Sequence, residues 1–391
     1  MASEPKDCVE LLQKMVSIKT VNRIADGIPF VEGELIDFLE ATAGAWGFET
    51  QRLSISNIGC NLLVSRPVNP NQPWLLFDSH LDTVGVEGMT IDPFAGEIRD
   101  GKLYGRGSCD TKGTGSAMLW ALKTLAEQNQ PSINIAILFS IEEEISRTGI
   151  TAFVQDQLKT LSWTPQAVVV GEPTSLKIVA AHNGTVRWQI ETSGTAAHSS
   201  NPTDGHSAIS DMVRVIAALE SEYIPQLTAS YPLVGKAQCS INLISGGSLI
   251  NVIPDSCTIS VDRRIVPGED GNEVLPAVQA VLDSLREQFP DLRAKQKEVS
   301  VSTALPSDRN HELCQQVGNI LRSLALDDKP VGAKYGTHAS DFAAAGLPAI
   351  VLGPGDIAQA HREDEFIEIA SLQKGIEVYQ QIMSAETWKP A

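Results

Sequence analysis

The chain has 391 residues and a net charge of -18, from 30 Lys and Arg against 48 Asp and Glu. At about 150 residues per domain it should form two or three domains, and 42% apolar residues suffice for cores that need no disulfide or metal staples. The charge argues against nucleic acid or an anionic membrane as the main partner, since both need clustered positive charge; an anionic small molecule stays compatible, because one local Arg can hold a carboxylate.

The first residues, Met-Ala-Ser-Glu-Pro-Lys-Asp, lack the cationic-then-apolar pattern of a leader. No apolar run approaches the roughly 18 residues of a membrane span. Cys8, Cys60, Cys109, Cys239, Cys257 and Cys314 form no CxxC, which speaks against a disulfide framework or thiolate zinc site and for a reducing cytoplasm. GxGxxG, HExxH, GxSxG and the P-loop pattern are absent, which removes the chemistries they carry.

In chain order, Cys8, Leu11, Leu12 and Met15 recur at helical spacing, as do Leu35, Phe38 and Leu39. Apolar runs follow at 74–77, 133–139 and 168–170, with a helical stretch marked by Leu119, Leu122, Leu125 and Ala126 between the first two, and another run at 349–352. Continuous apolar strands between amphipathic helices predict an α/β domain whose parallel or mixed sheet is covered on both faces. The middle differs. Val186, Trp188 and Ile190 alternate with Arg187, Gln189 and Glu191, and Cys239, Ile241, Leu243 and Cys257, Ile259, Val261 repeat the pattern. These predict half-exposed antiparallel strands. Helices marked by Ile209, Met212, Val213, Ile216 and by Val278, Val281, Leu282, Leu285 separate them. The division expected is an α+β module over 180–295, inserted into an α/β domain built from 1–179 and 296–391.

Open α/β sheets bind ligands at the carboxyl ends of their strands. Just past the apolar runs stand Asp78-Ser79-His80-Leu81-Asp82, Glu142-Glu143-Glu144, Gly171-Glu172-Pro173 and Gly353-Pro354-Gly355 with His361 beyond; Asp110 opens the helix after 105–109. Taken singly, His80 reads as structural, 142–144 as a solvated acidic turn and Asp110 as a helix cap. Together they place two imidazoles and several carboxylates on one rim, where like charges repel unless cations compensate. Two divalent metal ions resolve this, His80 and Glu172 holding one, Glu144 and His361 the other, and Asp110 bridging. Imidazole with carboxylate suits zinc, cobalt or manganese better than magnesium. Asp82 is placed to accept the second imidazole N–H of His80, and Glu143 is left as a general base beside an activated water.

These stretches, with Ser79-His80-Leu81-Asp82-Thr83-Val84, Asp110-Thr111-Lys112-Gly113 and Gly171-Glu172-Pro173-Thr174, resemble the M20 metallopeptidases and deacylases, in the family's order and over nearly the whole chain. The resemblance implies a Zn-peptidase-like catalytic domain with a mainly parallel sheet flanked by helices, and an inserted ferredoxin-like lid that makes a homodimer. It implies two zinc ions on the same five ligands, Glu143 as general acid/base and Asp82 as the orienting residue. Ala197-His198-Ser199-Ser200 looks like the lid histidine that reaches the partner subunit's site as an oxyanion donor. Asn251 to Pro254, followed by Asp262-Arg263-Arg264, looks like the element for the substrate carboxylate; strand parity puts Arg264 on the polar face with Asp262 and makes it the clamp. Tyr335 to Asp341 departs from the pattern: His338 stands where many members carry an acidic residue after Thr, and Gly336, Thr337 and His338 are expected to line the substrate pocket. His182, His206 and His311 are assigned to structure or surface.

Residues 353–366 look most like the acetylornithine deacetylase branch. That implies hydrolysis of a small-molecule N-acyl amino acid, N-acetylornithine giving ornithine and acetate in arginine biosynthesis. Succinyl-diaminopimelate desuccinylase, aminoacylase and dipeptidase or carboxypeptidase activities share the rim, and an inactive relative acting as a binding protein is the alternative of another class.

Overall fold

The computed structural model describes residues 4–22, 30–130, 132–385 and 388. It divides into two units, one of residues 1–180, 307–331 and 337–391, the other of 181–306 and 332–336. The second boundary differs from the expected 295. Ala294–Ser302 is a strand paired antiparallel with Gly184–Ser193, so it completes the sheet of the second unit. Its run of charged residues hid it, as suits an edge strand.

The first unit is built on a mixed sheet in which Glu49–Ile55, Gly59–Arg66, Asn134–Ser140, Trp74–His80, Pro165–Val170 and Ala349–Val351 are neighbours in that order. Its four strands from Asn134–Ser140 to Ala349–Val351 run parallel. Every residue of Asn134–Ser140 is buried, as a strand covered on both faces requires. On one face Leu75, Phe77, Ile135, Ile137, Phe139 and Val169 join a core with the helices Cys8–Ser17, Lys112–Glu127 and Ile369–Met383. On the other, the helices Thr148–Gln155 and Ala339–Ala344 meet through an edge-on Phe153–Phe342 contact. The helix Lys112–Glu127 can lie this close because of Gly115: a Cβ there would stand 2.8 Å from Ser79 Oγ, nearer than real Cβ contacts allow.

The second unit carries an antiparallel sheet in the order Gln238–Gly246, Ser256–Ile265, Gly184–Ser193, Ala294–Ser302. Val186, Trp188, Ile190, Ile259 and Val261 face the helices Ala208–Ala218 and Val274–Gln288 and close a separate core. Two expectations fail in detail. A bulge between Ile241 and Leu243 shifts the register and leaves Leu243 opposite Ser260, 69% exposed. In Ala208–Ala218 the buried stripe is Ala208, Met212, Val215 and Ala218, so Ile209 and Val213 point outward. All six cysteines are free thiols. Among the described residues no helix is long and apolar enough to cross a membrane.

Candidate metal centre

Parallel strands end on one edge of their sheet, so residues just past them converge. His80 ends Trp74–His80 and is in register with Ser140, the last residue of its neighbour; Asp78 and Val351 are both in register with Val170. The Glu142-Glu143-Glu144 turn, Glu172 and the 353–361 loop therefore leave from the same rim. Ligand atoms of His80, Asp110 and Glu172 lie within 4.8 Å of one another, and so do those of Asp110, Glu144 and His361. All five expected side chains are thus brought together, with Asp110 common to both sets. Its Oδ1 is 3.2 Å from His80 Nε2 and its Oδ2 is 3.5 Å from His361 Nε2, while His361 Nε2 is 3.0 Å from Glu144 Oε1.

The rim is electrostatically strained. Burial raises the Glu172 carboxyl well above the ordinary range, and the Asp110 charge adds to it. Burial likewise lifts Glu144 up to about 7, against the hydrogen bond from His361; that bond raises His361 to about 8. Burial disfavours a charged His80, but hydrogen bonds to Asp110 and Asp82 overcome this and raise it. The Glu143 charge adds a smaller upward push to both Glu144 and Glu172. Three carboxylates and two imidazoles in this arrangement form a donor set of the oxygen and nitrogen type that fits two divalent ions sharing one carboxylate.

Asp82 is fully buried, and its role is broader than expected. The nearest acceptor for His80 Nδ1 is the main-chain oxygen of Asp82, at 3.0 Å, with Oδ1 at 3.4 Å. The carboxylate instead takes the backbone N–H groups of Glu143 and Glu144, both at 2.9 Å, and the side-chain amide of Asn22. His80, by hydrogen bond and charge, and then the Glu144 and Glu143 N–H groups hold it below the usual carboxylate range despite burial. Asp82 therefore fixes Glu143 and Glu144, while the Glu142 N–H goes to Glu32 at 3.1 Å.

The loop that carries Asp110 is held by a residue the sequence reading missed. Glu365 is completely buried and receives the N–H of Gly107, Cys109 and Asp110 and the guanidinium of Arg106. Gly107 adopts φ +82°, a conformation in which L side chains are strained. No local pattern points to Glu365, because its partner Asp110 lies 255 residues away in sequence.

Thr337 and His338, expected in a substrate pocket, are each 1% exposed. The expectation is corrected: His338 turns inward at the start of Ala339–Ala344, with Nδ1 2.8 Å from Asp78 Oδ2, and Ser140 Oγ donates to Asp78 Oδ1 at 3.0 Å. The Thr337 carbonyl accepts from Arg147 at 2.7 Å. Gly336, His198, Asn251 and Arg264 belong to the second unit. There His198 is exposed and lies opposite Val252 in a two-residue ladder, and Ser199 N–H donates to the Asn251 carbonyl at 2.9 Å. Arg264 lies on the polar face, Arg263 on the buried one. Its guanidinium donates to both oxygens of Asp262, at 2.6 and 3.2 Å, so a ligand carboxylate would have to share it. His182 is buried, and His206 pairs with the buried Asp211 at 2.6 Å.

The sequence profile of peptidase family M20/M25/M40 matches residues 76–385. Acetylornithine deacetylase of Buchnera aphidicola subsp. Schizaphis graminum (strain Sg) is 30% identical over 378 residues, covering 93% of this chain and 94% of that protein. Among solved structures, the M20 family metallo-carboxypeptidase Sso-CP2 from Sulfolobus solfataricus superposes with a TM-score of 0.79 at 16% identity, over 97% of this chain and 99% of that one. Aminopeptidase PepT from Bacillus cereus ATCC 10987 gives 0.76 at 20% identity, over 97% and 98%. The two structural likenesses concern the fold.

Proposed function

Since the chain belongs to peptidase family M20/M25/M40 and is an amide hydrolase of that family, we propose that it is a dinuclear metal-dependent deacylase that converts N-acetylornithine and water to ornithine and acetate. The observation that carries this reading is Asp110, whose two oxygens face two separate imidazole–carboxylate sets. His80 and Glu172 would hold one ion, Glu144 and His361 the other, with Asp110 shared; zinc suits these donors best, with cobalt or manganese as substitutes. When bound, the ions supply Lewis acidity, which lowers the pKa of water and polarises a carbonyl.

The remaining steps fall to the chain itself. Glu143, on the turn that Asp82 fixes, takes a proton from the attacking water as its oxygen bonds to the acyl carbon. It delivers that proton to the amide nitrogen as the carbon–nitrogen bond breaks. Asp82 keeps His80 and the turn in place. His198 serves as an oxyanion donor, in the site of a second copy. Asn251 and Arg264 take the substrate carboxylate, Arg264 by a forked contact. The homodimer forms through the second unit, whose outer surface offers exposed Ile209, Val213 and Ile244. Gly247 brings the edge of the sheet against Ile209, since a Cβ there would stand 3.6 Å from its Cδ1, so the apolar surface runs from helix to edge strand. Homology to a deacetylase over nearly the whole length supports the acyl–amine substrate.

The test is a substrate panel on chelated and metal-reloaded protein: N-acetylornithine, N-succinyl-diaminopimelate, other N-acetyl amino acids and a dipeptide. The highest kcat/KM is expected for N-acetylornithine. A higher value for another substrate would move the assignment to that branch, and no turnover of any before or after reloading would favour a binding protein.

A further inference from the structure

Glu365 lies outside the expected donor set, yet it accepts five hydrogen bonds beside it. It is completely buried. Oε1 accepts the N–H of Cys109 at 2.8 Å and of Asp110 at 2.9 Å; Oε2 accepts the N–H of Gly107 at 3.0 Å and Arg106 Nη1 at 2.7 Å. The main-chain oxygen of Glu365 also accepts the N–H of Gly105 at 2.9 Å. One residue thus engages four backbone N–H groups between 105 and 110.

Those N–H groups matter because of what they would otherwise do. Asp side chains readily accept hydrogen bonds from nearby backbone N–H groups, their own included. In a loop without an external acceptor, the amides at 109 and 110 would compete for the Asp110 carboxylate and turn it away from the rim. With those amides committed to Glu365, both Asp110 oxygens stay directed at His80 and His361. The buried Arg106 guanidinium balances the added charge. Glu365 also comes soon after His361 on the same loop, so it ties the backbone of one candidate ligand to the segment that carries another.

We propose that Glu365 is a positioning residue that pre-forms the shared carboxylate, holding Asp110 in its bridging orientation before any ion arrives. The proposal rests on the reading of Asp110 as a ligand. A charge-assisted hydrogen bond of this kind is roughly twice as strong as a neutral one, so a side chain with one acceptor oxygen should not replace it.

The experiment uses the full chain freed of metal. Cobalt is titrated into wild type, Glu365→Gln and Asp110→Asn, with visible absorption and bound metal as readouts, and circular dichroism reports folding. Glu365→Gln is expected to stay folded and to bind cobalt at least about tenfold more weakly, the range seen when groups that orient ligands are altered. Its kcat should approach that of wild type at saturating cobalt, since Glu143 is intact. Cobalt affinity equal to wild type in folded Glu365→Gln would overturn the proposal. Wild-type affinity in Asp110→Asn would instead sink the ligand reading. Should Glu365→Gln not fold, hydrogen exchange of the wild type decides: amides at 107, 109 and 110 should be protected without metal, and rapid exchange there would overturn pre-formation.

Discussion

Replacing Asp82 by Asn keeps the shape of a fully buried side chain and removes one acceptor. In the native site one oxygen receives the N–H of Glu143 and the other that of Glu144, each at 2.9 Å. An Asn amide can satisfy only one of them; whichever way it is flipped, an NH2 faces a backbone N–H. Two buried donors then lack acceptors, at about 1–3 kcal/mol each. If the turn stays in place, Asp82→Asn should lose about 2–6 kcal/mol of folding stability. If the turn moves to relieve the clash, Glu143 and Glu144 move with it, and metal affinity and turnover should fall by about 10–100-fold. Urea unfolding of the metal-free protein measures the first outcome, and a metal titration with kcat on a reloaded sample measures the second. A variant within about 0.5 kcal/mol of wild type, the range of an inert surface change, that also kept normal metal affinity and turnover would refute the account of Asp82 as the anchor of the acidic turn.

Other consequences are as direct. Glu143→Ala should bind the same number of ions as wild type and lose at least about 100-fold in kcat, the scale of a missing general base; near-normal turnover would remove Glu143 from that role. His198→Ala should lower kcat with metal content intact, as expected for a donor acting on the transition state, and unchanged kcat would dismiss it. If the proposed dimer forms through the exposed Ile209 and Val213, Val213→Asp combined with Ile209→Asp should lower the mass from that of a dimer to that of a monomer in sedimentation, and an unchanged dimeric mass would place the interface elsewhere. Burial, with the Asp82 charge adding to it, raises the Glu32 carboxyl from 4.5 to about 7. The native chain then keeps a proton that the unfolded chain has released, so stability should fall by up to about 3 kcal/mol as pH rises through that window. Glu32→Gln should flatten this part of the curve for the metal-free protein, and an equal slope in both proteins would exclude Glu32 as its source.

Much of the candidate site is legible because its convergence obeys a topological rule. His80, Glu144, Glu172 and His361 lie at or beyond the ends of apolar runs, and parallel strands bring their carboxyl ends to one rim; the hydrophobic pattern was enough to find them. Parity also separated Arg263 from Arg264, since a strand with one buried face fixes alternate side chains. The failures share a different cause. Leu243 was misplaced because the bulge before it adds a residue that no periodicity reveals. Ala294–Ser302 was missed because half-exposed edge strands can carry Lys295, Lys297 and Glu298 without loss. His338 was placed in a pocket by alignment with a motif, but its burial depends on Asp78, which lies 260 residues away in sequence. Long-range polar pairing leaves no local trace.

Asp82 and Glu365 together explain how the loop-borne part of the rim acquires order. His80 and Glu172 inherit their positions from strand ends inside a buried sheet. Asp110 and Glu144 have no such support and stand on turns, where backbone conformations are many. For each turn a completely buried carboxylate captures two successive N–H groups, those of Glu143 and Glu144 on Asp82 and those of Cys109 and Asp110 on Glu365. The same arrangement thus recurs on both sides of the proposed shared ligand. Asp82 adds negative charge near carboxylates that already repel one another, a clear penalty for the bare protein, whereas Arg106 offsets the charge of Glu365. That penalty turns into attraction once divalent cations arrive. A site organised this way spends folding stability to gain metal affinity, so weakening either anchor should cost more in ion binding than neutralising an equally close surface carboxylate.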